Sequence, residues 1–506
     1  MGFVSILNPM LKPETEMVTP SFFVDLNLDQ IVKQIQRMIA LPVEKYYYCL
    51  PDTGEGEAYR RGVYGDVKKP EVYEGLARFL GMQEVWSEAK EAKGRMEREE
   101  QTWVWHIQEV SKYCDLFTAL YEALRGREMS SEGMRVFYAY LAKEVESEAF
   151  QDMKREAADL FAYVKELHVR LECTGDMIYV SRGQVEGSYQ RFLQANFGET
   201  NLTMKSPFSG RDDLTNLEGA ILEQVAREEK SFFKKAKAFY ISHMDYEDQS
   251  LIRFGQEISY YLSYCMFQRF MESKGFVFVT PTTDAKKDMS ALGLYDLALA
   301  FANQKVDKAV VSNDFLYTGE ENFLVVTGPN QGGKTTFARS LGQLVYLTKM
   351  GFDVPATAAN VHEFSTILTH FSVEESVETG RGKLMDELVR LKPMMEAHVT
   401  NAFVVINELF TTAANYDACI MGKKVLEHFI GADCRGIYVT HLKELTMAHP
   451  GVVSMRAMVD SDNIQSFKIC RSQADDSVCA MNQVNKYRLT YEQLQVRLGL
   501  GTGGQE

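Results

Sequence analysis

The chain has no apolar run of the roughly 18 residues that a membrane-spanning helix requires. Its stretch from Met1 to Pro20 has no basic region followed by an apolar segment, so neither membrane insertion nor export is expected and a cytoplasmic location follows. Paired cysteines are missing as well. Cys49, Cys114, Cys173, Cys265, Cys419, Cys434, Cys470 and Cys479 are scattered, with no Cys-x-x-Cys pair and no histidine group beside them. Such a pattern reads as reduced thiols, not as a disulfide framework or zinc site. Nor is there an excess of positive charge: the formal net charge is -15, which argues against indiscriminate nucleic-acid binding while leaving room for a local basic groove.

What is present is an ordinary globular composition, 45% hydrophobic and 25% charged over 506 residues, long enough for two to four domains. Helix dominates the first half. Phe150, Met153, Ala157, Phe161, Val164, Leu167 and Leu171 recur at steps of three and four, which predicts one helical face. The period returns at Phe254, Ile258, Tyr261, Leu262, Cys265 and Phe270, and the charged stretch Glu84 to Gln101 favours extended helices. Between them, Met177 to Val180 is a short apolar run, followed by turn residues from Gly183 to Asp213. The segment Cys173 to Asn216 therefore reads as a small insertion between an outgoing and a returning helix. Lys230, Lys234, Lys235 and Lys237 are read first as a solvated helix face, with phosphate contact as the second reading.

The chemistry begins at Phe323. Phe323 to Thr327 has the β-branched and aromatic character of a buried parallel strand, and it runs into Gly328-Pro329-Asn330-Gln331-Gly332-Gly333-Lys334-Thr335-Thr336. This is the spacing of a P-loop, with an amphipathic helix expected from Thr335 towards Met350. Glycines let backbone amides turn towards phosphates, and the helix N-terminus adds its partial positive charge. Lys334 would reach the β- and γ-phosphates of ATP, and the Thr335 hydroxyl would ligate Mg2+. A second strand, Phe403 to Ile406, ends in Asn407-Glu408. Hydrolysis needs a base or water-orienting group near the γ-phosphate, and Glu408 is the candidate. A third strand, Gly436 to Thr440, ends in His441, placed to sense the same phosphate.

Thr327 to Thr336, Asn407-Glu408, Asn415-Tyr416-Asp417 and Thr440 to Thr446 together resemble the ATPase domain of the MutS family of DNA mismatch repair proteins. The resemblance is specific over Phe301 to Pro450 and looser upstream, where Phe22 to Asp29 and Tyr59 to Asp66 look like the start of a MutS-type core. It implies a multidomain protein: a mostly α-helical N-terminal core and lever region, followed by an α/β P-loop (ABC-type) ATPase domain. The corresponding segments are a core-like domain over 1–130, long lever helices over 131–285 with a clamp-like insertion near 173–216, and the ATPase domain over 286–506. Gly380 and Arg381, with Lys383, resemble the signature loop that faces a partner's nucleotide across a dimer, so a homodimer is implied. The expected partner is double-stranded or branched DNA, without a membrane.

Three departures bear on chemistry. Asn407 stands where the family usually carries the magnesium-side aspartate, Phe410-Thr411-Thr412-Ala413 replaces a Gly-rich stretch, and Gly382-Lys383 replaces small hydroxyl residues. They imply retained ATP binding and slow hydrolysis. The core-like segment begins near Ser21, so a wedge domain that reads mismatches is not expected. Two readings result: a DNA-associated dimeric ATPase in repair or recombination, and a nucleotide-gated dimeric scaffold with weak or no hydrolysis and a protein partner. A small-molecule kinase is a distant third, because it leaves Asn415 to Asp417 and the His441 segment unexplained. The tail after Ile464 has no assigned role.

Overall fold

The computed structural model describes residues 3, 5–8, 19–39, 41–51, 53–174, 177–183, 216–284, 288–304, 309–372, 382–397, 399–459, 465–473, 490, 494–495 and 497. The chain forms two compact units, Met1–Leu11 with Gly65–Leu262, and Lys12–Tyr64 with Ser263–Glu506. No helix among the described residues is long and apolar enough to cross a membrane.

The first unit is mainly helical. Its longest helices, Pro70–Gly94 and Glu99–Leu124, pack against each other. Pro70 occupies the first turn, where its missing N–H has no intrahelical partner to lose. Ser131 and Ser147 start the helices Glu132–Val145 and Glu148–Glu166, and their hydroxyls accept from Met134 N and Phe150 N. Each satisfies an N–H that would otherwise be orphaned. Phe150, Met153 and Ala157 are buried as their spacing predicts, but the helix stops at Glu166. Leu171, expected on the same face, is instead 48% exposed in strand β1 (Val169–Thr174). From Val169 the sequence changes to the period-two alternation of a strand, and β1 pairs antiparallel with β2 (Met177–Arg182) from Val169↔Arg182 to Thr174↔Met177. This hairpin covers the start of the expected insertion; residues 184–215 lie outside the described residues. In the helix Lys230–Ser242, Phe232, Phe233, Ala236 and Phe239 are buried while the four lysines face solvent. One of them, Lys237, lies 3.7 Å from a Glu99 oxygen and 4.9 Å from the centre of the Trp103 ring.

The second unit is mixed α/β. Its strands are β3 (Thr282–Asp284), β4 (Met289–Leu294), β5 (Asn313–Tyr317), β6 (Phe323–Thr327), β7 (Ala358–His362), β8 (Ile367–Phe371), β9 (Phe403–Asn407), β10 (Arg435–Val439), β11 (Val452–Val459) and β12 (Gln465–Arg471). Six form one sheet in the order β12-β11-β6-β10-β9-β8, and four form another in the order β3-β7-β4-β5. Within the larger sheet every pairing is parallel except that of β12 with β11. Every residue of β6, β9 and β10 is buried, which is why these strands read as continuous apolar runs and not as alternations. Val439 is in register with both Val326 and Asn407. The carboxyl ends of β6, β10 and β9 therefore reach the same sheet edge, where open α/β folds bind ligands.

Candidate nucleotide-binding site

The loop from Gly328 to Gly333 connects β6 to the helix Lys334–Lys349, with Gly333 as the left-handed N-cap at φ +84°. Gly328 sits at φ +129°, and a Cβ there would lie 2.8 Å from the Cβ of Ala457 on β11. Both positions need glycine, one mainly for conformation and the other for space as well. Lys334 is only 4% exposed, and its Nζ donates to the carbonyls of Gly328 at 2.9 Å and Pro329 at 2.8 Å. The Thr335 hydroxyl donates to Asn407 Oδ1 at 2.9 Å.

Glu408 follows at the end of β9 and takes a left-handed φ of +55°, held by its N–H donating to Val439 O at 2.9 Å. His441 Nε2 lies 3.4 Å from Glu408 Oε1. The hydrogen bond from His441 lowers the Glu408 pKa most; burial opposes it, and the charges of His441, Lys334 and Lys383 add to the lowering. Glu408 therefore stays ionised through neutral pH, which suits a group that orients water more than one that stores a proton.

Lys334, Thr335 and Glu408 border a pocket of about 320 Å³ whose lining also includes Asn330 to Gly333 of the P-loop, Asp296, Val310, Val311 and Phe467. The size, the glycine-lined phosphate end and the partly apolar far end fit a nucleoside triphosphate. Among the described residues no group of three or more His, Cys, Asp or Glu is placed to hold a metal ion. Thr335 and Asn407 offer oxygens beside the phosphate end, with the Glu408 carboxylate on the same pocket, donors of the kind a magnesium ion takes together with phosphate.

Residues 324–487 match the family model described as MutS domain V. Residues 324–487 thus belong to the MutS domain V family, and the chain is similar to MutS proteins over up to 325 residues. It is 24% identical over 325 residues to the DNA mismatch repair protein MutS of Shouchella clausii, covering 62% of this chain and 36% of that protein. The corresponding protein of Halothermothrix orenii is 29% identical over 160 residues, 30% of this chain and 18% of the relative. DNA mismatch repair protein msh-2 of Neurospora crassa is 29% identical over 142 residues, 28% of this chain and 15% of that protein. The chain thus spans about a third, or less, of the length of each of these relatives.

Of the residues singled out in the sequence, Gly328 to Thr336, Asn407, Glu408 and His441 gather at one end of the six-stranded sheet. Lys383 begins the helix Lys383–Glu396; its charge adds to the lowering of the Glu408 pKa and partly opposes the burial that raises that of Glu387. Gly380 and Arg381 lie outside the described residues. The tail carries contacts that sequence reading missed. Gln465 Nε2 donates to Asn330 O at 2.7 Å, and Phe467, at φ +56°, lies 3.5 Å from where a Gly333 Cβ would be. Asn313 holds this edge in place, its Nδ2 donating to Phe467 O at 3.1 Å and its Oδ1 accepting from Ile469 N at 2.8 Å. The one available signal was a lone aromatic in the otherwise polar start of β12.

Proposed function

We propose that this chain, with its MutS-type domain, binds ATP with Mg2+ at the P-loop pocket and hydrolyses it slowly, as a DNA-associated dimer acting in repair or recombination. The gathering of Lys334, Thr335 and Glu408 on one pocket, with Asn407 bonded to Thr335 and His441 beside Glu408, carries the reading. Lys334 and the P-loop amides bind the phosphates, Glu408 orients the attacking water, and His441 holds Glu408 and senses the γ-phosphate. Thr335 and Asn407 hold the metal, which supplies charge neutralisation at the phosphates. An amide at 407 offers an oxygen but no negative charge, and it lacks what an aspartate gives the transition state. Segment 131–285 is assigned to the lever and clamp, and the similarity to DNA mismatch repair proteins supports DNA as the partner.

An ATPase assay with and without duplex, branched and single-stranded DNA tests the reading. Slow basal turnover that rises with one DNA form is expected. Asn407→Asp should speed hydrolysis roughly ten- to a hundredfold, the effect of about 1.4–3 kcal/mol on the barrier. Glu408→Gln should remove turnover and retain bound ATP. Tight ATP binding with no turnover in either the unaltered or the Asn407→Asp protein would favour the nucleotide-gated scaffold, a reading prompted by the neutral residue at 407.

A further inference from the structure

The turn after β9 is unusual in having two non-glycine residues in the left-handed region, Glu408 at φ +55° and Phe410 at φ +62°. Such conformations persist only where surrounding contacts enforce them. One contact is the Glu408 N–H to Val439 O bond within the sheet. The other comes from a different element: Phe410 N donates to Glu387 Oε2 at 3.0 Å, across 23 positions in sequence. Glu387 is 3% exposed, and its second carboxylate oxygen is buried with no hydrogen-bond partner. A buried carboxylate with one oxygen unpaired is a costly way to fill space, and burial pushes its pKa up. The side chain sits where a main-chain N–H of the strained turn requires an acceptor.

The helix bearing Glu387 is itself tied to β8. His370 Nε2 donates to Glu387 O at 3.2 Å, and an Arg390 guanidinium nitrogen donates to Phe371 O at 2.8 Å. Displacement of the helix Lys383–Glu396 would consequently pull on the turn that presents Glu408. We propose that Glu387 is a positioning residue: through the Phe410 amide it holds the Asn407–Phe410 turn, and with it Glu408, in register with the helix Lys383–Glu396. The inference rests on the assignment of Glu408 to the attacking water.

The test compares Glu387→Ala and Glu387→Gln in the full chain, reading steady-state ATPase kinetics, melting temperature and peptide-level hydrogen exchange over residues 407–413. In Glu387→Ala, kcat should fall about ten- to a hundredfold with KM within about threefold, because the loss is one of orientation and not of nucleotide binding. Exchange in that peptide should quicken. Glu387→Gln keeps an acceptor oxygen and should recover both readouts to within about threefold. Unchanged exchange in Glu387→Ala overturns the inference. So does a parallel fall of kcat, nucleotide affinity and melting temperature in both variants, which marks a merely structural carboxylate. If the unaltered protein binds ATP without turnover, the hydrolytic reading fails, and the exchange data still decide whether Glu387 holds the turn.

Discussion

At the scale of single residues, Lys334 carries the clearest prediction. Its ammonium is the side-chain cation of the P-loop and is pinned over the loop by the Gly328 and Pro329 carbonyls. Hydrogen bonds to charged groups contribute roughly 1.5–3 kcal/mol net, so Lys334→Ala should weaken ATP binding at least ten- to a hundredfold in calorimetry. Unchanged affinity would place the nucleotide elsewhere. Glu408 sets a pH expectation. Its pKa lies below the ordinary carboxylate value, so its ionised form persists above that range and is lost only as pH falls through the lowered folded value. Turnover should therefore show no Glu408 limb near neutrality and should decline from this group only in acid. The P-loop was legible from sequence because phosphate binding dictates glycine and lysine at fixed spacing. The Glu387–Phe410 bond was not, because nothing local marks a glutamate whose partner is a backbone amide in another element.

At the scale of elements, β12 shows where sequence reading failed and why. Its antiparallel pairing with β11 brings Phe467 beside Gly333, a contact between positions more than a hundred residues apart that no periodicity encodes. Phe467 remains 45% exposed, a large apolar ring kept at the rim of the P-loop pocket. Phe467→Ala should weaken ATP binding about five- to thirtyfold if the ring covers the bound nucleotide, a loss of roughly 1–2 kcal/mol of the kind stacking gives. Affinity unchanged in fluorescence titration would reduce Phe467 to a support for β12. In the helical unit, Asp66 joins separate elements. It accepts from the Lys69 ammonium and from the N–H and hydroxyl groups of both Ser130 and Ser131. Burial is the strongest single influence and raises its pKa, yet these donors together hold it at about 2 against an ordinary 3.8. A lowered folded value means the stabilisation is complete above the unfolded pKa and is lost as pH falls from 3.8 towards 2. Asp66→Asn turns an amide donor towards these donors and should cost about 2–4 kcal/mol in denaturant unfolding at neutral pH, with the difference shrinking in acid. A cost independent of pH would show that shape, not charge, is what Asp66 supplies. The helix Glu148–Glu166 was legible from its 3.6-residue period, whereas its end was not, because Leu171 happens to fall on the same numerical step.

At the scale of the whole molecule, the grouping of 12–64 with the C-terminal unit lies beyond what hydrophobic patterns along a chain can reveal, since it depends on contacts between distant segments. Arg339 Nε, on the P-loop helix, donates to Asp25 O at 3.0 Å, and the Thr369 hydroxyl donates to Asp25 Oδ2 at 2.7 Å. The segment around Asp25 is thereby part of the framework behind the P-loop helix. The last prediction concerns assembly. If the loop carrying Gly380 and Arg381, together with Lys383, meets the nucleotide of a second copy, ATP is part of the dimer contact. Linkage then requires that ATP strengthen the dimer by the same factor by which dimerisation tightens ATP. Sedimentation at micromolar protein should show a shift from monomer towards a two-fold symmetric dimer on adding ATP and Mg2+. The shift should be largest in Glu408→Gln, where ATP is not consumed, and about tenfold weaker in Arg381→Ala, as expected for loss of a desolvated charged contact. Arg381→Ala should leave the ATP affinity of the monomer intact at concentrations too low for association. A monomer under every condition would sink this arrangement. A dimer indifferent to nucleotide and to Arg381 would place the contact between copies on another surface, and would leave each P-loop pocket to act with the residues of its own chain.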